Sequence, residues 1–232
     1  FYNLIENVKN HKIKRLFYAS SSSVYGENKN FPLNEKEKIF PKNIYALSKK
    51  INEEIGFIFN KYYNTKLTGL RFFTVYGEWG RPDMMMMKYI DCFYKKKLFY
   101  LNNYGNHSRD FTYIDDIVEG VIKTLDSPAT KNTDWNSNKP DPATSKAPWK
   151  IYNIGNNKPV ELADYIDVLE NSLGKKAKKN LVPLQPGDVP DTFADVEDLI
   201  KDTGYKPTTT IEEGIKKFVE WYKNYYSCKL YH

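Results

Sequence analysis

Tyr45 and Lys49 stand four residues apart. On a helix that spacing puts both side chains on one face, one turn from each other. A phenol, with a pKa of about 10, is a poor base at neutral pH, but an ammonium a few ångströms away favours the phenolate. Lowering such a pKa by three units corresponds to about 4 kcal/mol of differential stabilisation. A tyrosine held this way can remove or donate a hydroxyl proton. The same pair also occurs as an ordinary solvated helix pair, so its position in the chain matters. About 25 residues upstream, four serines in a row, Ser20 to Ser23, close an apolar stretch. A hydroxyl at the carboxyl edge of a parallel strand lies where ligands bind in open α/β sheets.

The elements around these residues must therefore be a strand, a loop and a helix. Residues 14–20 (KRLFYAS) form a short apolar run that reads as a buried parallel strand. Residues 27–43 are polar, hold Pro32 and Pro41, and read as a loop. A helix is predicted from Ile44, with Ile44, Leu47, Ile51, Ile55, Ile58 and Tyr62 on one face as its core stripe. Residues 67–75 (LTGLRFFTV) read as a second buried strand. Strand and helix in alternation predict an α/β parallel sheet.

Further along, a helix is predicted over 84–94, in which four consecutive methionines fill irregular core gaps. A short strand over 99–101 and an extended segment over 111–114 follow. Asp115 or Asp116 is expected to cap a helix over 117–125. Residues 127–149 hold Pro128, Pro140, Pro142 and Pro148 and read as a long loop. The rest reads as a strand over 150–155, a helix over 160–173, a strand running into a loop over 181–188, and helices over 194–202 and 210–226. Residues 1–10 carry Phe1, Leu4, Ile5 and Val8 at helical spacing.

With 232 residues, 41% hydrophobic and 28% charged, the chain is neither disordered nor a simple coiled coil. No run approaches 18 consecutive apolar residues, so no membrane span or membrane contact is expected. The net charge of +6 is spread out and permits an anionic ligand, without the concentrated stripe that nucleic-acid binding needs. Cys92 and Cys228 form no disulfide framework, and neither they nor His11, His107 and His232 have metal-ligand spacing. The expectation is a reducing, cytoplasmic setting with no metal.

Ser-Val-Tyr-Gly after a strand, then Tyr-x-x-x-Lys, then LRFFTVYG, resembles the extended short-chain dehydrogenase/reductase enzymes that act on nucleotide sugars. Within them, residues 69–84 (GLRFFTVYGEWGRPDM), 104–120 (YGNHSRDFTYIDDIVEG), 141–156 (DPATSKAPWKIYNIGN) and 182–195 (VPLQPGDVPDTFAD) look like the UDP-glucuronate 4-epimerases. The resemblance implies a Rossmann-type doubly wound parallel sheet plus a smaller mixed α/β substrate-binding part. It implies that residues 1–80 are the second half of the NAD-binding domain and that 81–232 mainly hold the nucleotide sugar, with about 106–126 returning to the Rossmann part. Members open with a glycine-rich strand–turn–helix that holds the NAD pyrophosphate. No such segment occurs in these 232 residues, so the chain is expected to be the later part of a longer protein.

Site roles follow from the resemblance, position by position. Ser21 stands where the family has its catalytic Ser or Thr, Tyr45 would be the base, and Lys49 its electrostatic partner on the nicotinamide ribose. Ala19 lies beside them at the cofactor. Ser22 and Ser23 stand where sugar dehydratases carry Asp and Glu; small hydroxyls there suit a C5 carboxylate, with Thr74 and Arg81 as further contacts. Phe72 and Phe73 would pass the nicotinamide, or be plain strand core. Asn102 to Tyr104 resembles the uracil-binding edge. Arg109 resembles the arginine on the pyrophosphate, with an ion pair to Asp110 or Asp115 as its alternative. Asp188 resembles a residue near the UDP ribose, or is a turn residue. Gln185 takes the place of a phosphate-binding arginine. The implied activity is NAD-dependent inversion at C4 of UDP-glucuronate through a 4-keto sugar. The alternatives are a UDP-glucuronate decarboxylase, another UDP-sugar 4-epimerase, or a chain inactive by itself. A homodimer formed through the Tyr-x-x-x-Lys helix and the helix before it is implied as well.

Overall fold

The structure, a computed structural model, describes residues 1–226. In chain order the elements are α1 (Tyr2–Asn10), β1 (Arg15–Ser21), α2 (Ile44–Tyr63), β2 (Lys66–Phe72), β3 (Thr74–Tyr76), α3 (Met85–Tyr94), β4 (Phe99–Leu101), β5 (Ser108–Tyr113), α4 (Ile114–Asp126), β6 (Trp149–Ile154), β7 (Pro159–Glu161), α5 (Leu162–Leu173), β8 (Lys179–Leu181), α6 (Glu197–Thr203) and α7 (Ile211–Tyr225). Cys228 and His232, expected to bind no metal, lie outside the described residues.

The apolar runs of β1, β2 and β6 make a three-stranded parallel sheet in the order β1-β2-β6. The register sets Ser21 opposite Phe72, and Phe72 opposite Ile154, so the three carboxyl ends lie level. Helices cover this sheet, which is why its strands lack polar alternation. Beyond Phe72 the chain leaves the sheet. The Phe73 amide still donates to the Ile154 carbonyl at 3.1 Å, its ring enters a core with Val24, Tyr25 and Leu33, and β3 then pairs with β5 in a second sheet, β3-β5-β7. The single strand expected over 67–75 is therefore two, broken where the partner changes.

A third pair, β4-β8, joins residues 99–101 to 179–181 in parallel. The strand expected from 181 onward ends there instead. Around these strands α3, α5 and α7 enclose an aromatic-rich core in which Phe111 stacks on Tyr165 at 4.1 Å. Met86 and Met87 are buried in it, as gap-filling methionines should be. Asp115 and Asp116 lie inside the first turn of α4 rather than capping it; Asp116 instead accepts the Thr208 and Thr209 amides.

α2 departs most from expectation. It begins as its sequence requires, with Asn43 accepting the Ala46 amide at 2.8 Å, and ends at Asn64 in the left-handed region. Its buried face, however, is Ala46, Glu53, Gly56, Phe59 and Asn60. Of the apolar stripe expected in the core, Ile55 packs against it, whereas Ile44, Leu47, Ile51, Ile58 and Tyr62 point outward, Ile44 at 82% exposed.

Candidate active site

The serine run turns sharply at the level end of the sheet. Ser21 ends β1, and its Oγ accepts the Ser23 amide at 3.2 Å while donating to Ser23 Oγ at 3.0 Å. A 3-10 turn over Ser22–Tyr25 follows and closes on Gly26 at φ +55. A Cβ there would lie 1.6 Å from the Phe40 carbonyl oxygen, so only glycine lets the chain fold back this tightly. α2 starts opposite this turn. Lys49 Nζ donates to the Ala19 carbonyl at 3.0 Å and stands 5.6 Å from the Tyr45 ring. Tyr45 is 51% exposed, and its hydroxyl makes no hydrogen bond among the described residues.

Ala19, Ser21, Ser22, Ser23, Tyr45 and Lys49 line a cleft of about 510 Å³. Phe72, Phe73, Thr74 and Arg81 line the same cleft. The volume is in the range of small-molecule sites. Phe73 belongs chiefly to the core, with an edge at the cleft, and Phe72 is half-buried under α4, so the strand-core reading holds for both alongside the cleft position. Arg81 extends into solvent and grips Asp83 through Nε (3.0 Å) and Nη2 (2.7 Å), which holds the Asp83 carboxyl below its ordinary value.

Thr74 also lines a second hollow of about 730 Å³, with Asn102, Arg109, Gln185 and Asp188 on its walls. A smaller one of about 190 Å³ joins Ser22, Ser23 and Thr74 to Arg109 and Asp188. The two groups of expected residues are thus continuous. Asn102 opens a 3-10 turn in which Asn103 and Tyr104 take left-handed backbone, turning the chain at the hollow's rim.

Arg109 holds the segment over residues 188–190. Its guanidinium donates to the Val189, Pro190 and Ser108 carbonyls and meets Asp188 at 3.3 Å. Its ion-pair partner is therefore Asp188, not Asp110 or Asp115. Burial lowers the Arg109 pKa, and Asp188 opposes that. His107 sits beside it, buried, with Nδ1 at 3.1 Å from the Pro190 carbonyl. Asp110 is buried, accepts the Asn156 (2.6 Å) and Ala194 (3.2 Å) amides, and is pushed up to about 6 by desolvation. It fixes β5 against the segment after the 188–190 turn.

Two buried charged residues that residue spacing alone does not single out, Glu53 and Arg71, lie behind the cleft. The signal available for them is an arginine inside an apolar strand, and a carboxylate one turn after Lys49 on the inner face of α2.

The chain matches the NAD dependent epimerase/dehydratase family over residues 1–155. It is 48% identical to Protein CapI of Staphylococcus aureus over 97% of this chain and 68% of that protein. It is 46% identical to UDP-glucuronate 4-epimerase 4 of Arabidopsis thaliana over 98% of this chain and 52% of that protein. Its fold superposes on the UDP-glucuronic acid 4-epimerase from Bacillus cereus, solved with UDP-glucuronic acid and NAD, at a TM-score of 0.83 and 30% identity, over 96% of this chain and 66% of that one. The chain belongs to the NAD dependent epimerase/dehydratase family, with a Rossmann-like α/β fold. It spans between about half and two thirds of the length of these relatives.

Proposed function

We propose that this chain carries the catalytic and sugar-binding part of an NAD-dependent isomerase that inverts C4 of UDP-glucuronate to give UDP-galacturonate. The observation that carries the reading is one cleft, lined by Ser21, Tyr45 and Lys49, that continues past Ser22, Ser23, Thr74 and Arg81 to Arg109. The similarity to a UDP-glucuronate 4-epimerase and to the complex with UDP-glucuronic acid and NAD supports the same substrate and cofactor.

The residues present fit NAD. Tyr45 offers a free hydroxyl, Lys49 an ammonium held at the Ala19 carbonyl, and Phe72 and Val75 an apolar wall. Ala19, Tyr45, Lys49 and Phe72 would hold the nicotinamide end. When bound, NAD supplies a reversible hydride acceptor for C4 and is regenerated in each turnover. Tyr45 takes the proton of the 4-hydroxyl and returns it after the 4-keto sugar has presented its other face. Lys49 stabilises the phenolate during that exchange. Ser21 donates a hydrogen bond to the same sugar oxygen.

The 4-keto sugar is a β-keto acid and loses CO2 when its carboxylate bond aligns with the carbonyl π system. Ser22, Ser23 and Thr74 hydroxyls, with the Arg81 guanidinium, hold the carboxylate out of that alignment. Arg109 and Asp188 bind the diphosphate and ribose, near Asn102 at the uracil edge. Two copies pair through the outward stripe of α2 (Ile44, Leu47, Ile51, Ile58) with Leu4 of α1 beside it. A stripe along a 20-residue helix, about 30 Å, is long enough for a two-fold helical interface. Sedimentation of Ile51→Lys should then show a monomer where the native protein is dimeric.

The test supplies the full-length protein with NAD and UDP-glucuronate and resolves products by proton NMR. UDP-galacturonate without CO2 is expected. A UDP-pentose would assign the protein to decarboxylation, and no turnover would remove the enzymatic reading.

A further inference from the structure

Arg71 and Glu53 are 2% and 4% exposed, yet both carry charge. Arg71 Nε and Nη2 donate to Glu53 Oε1 (2.9 Å) and Oε2 (2.8 Å), a two-pronged pair. Ser20 Oγ donates to the same Oε1 at 2.5 Å. Arg71 Nη1 donates to the Tyr25 hydroxyl at 2.9 Å and to the Glu35 carbonyl at 3.3 Å. Tyr25 in turn donates to Asn153 Oδ1 at 2.7 Å. One ion pair thus joins β1, the turn after the serines, the loop over 27–43, α2, β2 and β6.

Buried ion pairs add little net stability, because desolvation offsets their attraction; their best-attested use is to fix register. The placement here suits that use. Glu53 lies one turn after Lys49 and two turns after Tyr45, while Ser20 directly precedes Ser21. α2 therefore meets β1 at two adjacent residues: Lys49 at the Ala19 carbonyl, and Glu53 at the Ser20 hydroxyl. A slide of α2 by one residue, about 1.5 Å, would break both contacts.

We infer that Glu53 and Arg71 are positioning residues: they set the axial register of α2 against β1, and so the placement of Tyr45 relative to Ser21. The effect on turnover rests on the proposed epimerase reading, whereas the register itself does not.

The test uses the full-length protein carrying Glu53→Leu with Arg71→Met, which removes both charges and keeps apolar volume. Crystal structures and steady-state kinetics with NAD and UDP-glucuronate are compared with the native protein. The expected result is an intact α2 displaced along its axis, a broken hydrogen bond between Lys49 and the Ala19 carbonyl, kcat down about 100-fold, and KM within about threefold. A folded double variant with α2 in its native register, or with native kcat, overturns the inference. If the native protein does not turn over UDP-glucuronate, the epimerase reading falls and the position of α2 alone decides. If the double variant does not fold, Ser20→Ala and Arg71→Lys carry the test: lowered kcat at native melting temperature supports the inference, and native kcat overturns it.

Discussion

Among the described residues the Tyr45 hydroxyl has no hydrogen bond at one end of the cleft, whereas at the other end Arg109 already donates to three backbone carbonyls and meets Asp188. Arg81, on the Tyr45 side, pairs with its neighbour Asp83 in open solvent, with Met84 Sδ beside it. In the proposed reaction the two ends do different work. A group that moves a proton must exchange its partner in every turnover, so it gains from being loosely held on a rigid helix. A group that anchors a diphosphate gains from pre-orientation, which lowers the entropy lost on binding. Arg109 is pre-oriented by the 188–190 segment that it holds.

The largest expected effect breaks the loose end. Tyr45→Phe should lower kcat by roughly 10²–10⁴, the scale of a lost acid–base group, and leave urea stability unchanged because the hydroxyl makes no hydrogen bond among the described residues. Persistent turnover would move the base elsewhere. At the held end, Arg109→Ala should do two things at once. KM for the UDP-sugar should rise on the order of 100-fold, and stability should fall by about 1–2 kcal/mol as half-buried carbonyls lose their donor. An unchanged KM with the stability loss would make Arg109 a strap-holder only.

Glu35 supports the loop behind the serine turn. Its carboxylate accepts the Asn153 amide at 2.7 Å, and burial pushes it from 4.5 up to about 7. The folded state therefore keeps this proton to higher pH than the unfolded chain does. The group's contribution is most favourable below about 4.5 and declines as pH rises through 7. Glu35→Gln should remove up to about 3 kcal/mol of that decline, read as the difference in urea stability between pH 5 and pH 8. Asp110, raised in the same direction, keeps its own decline from 3.8 to about 6 in the variant. The smallest effect is at the exposed pair. Asp83→Asn should change stability by less than about 0.5 kcal/mol and lower KM for UDP-glucuronate about twofold by freeing Arg81.

Much of the site was legible because its residues sit on strongly patterned elements. The Tyr45–Lys49 spacing, the serine run at a strand end, and the apolar runs of β1, β2 and β6 all survive in the structure. What the pattern could not give was direction. α2 carries an apolar stripe and a small, polar face, and periodicity alone assigns the stripe to the core. Here the polar face is buried, because Glu53 and Asn60 find partners against the sheet. The break at Phe73 was equally hidden, since a strand that changes sheets keeps its residue types. Arg109 showed its charge in the sequence, but not the residues 79 to 81 positions away that engage it.

The most direct measurement gives the native protein UDP-glucuronate deuterated at C4, in ordinary water with NAD. The expected product is UDP-galacturonate that retains deuterium at C4 and carbon at C6, with no such product from Tyr45→Phe. Loss of the deuterium to solvent, or of the carboxylate as CO2, would contradict it.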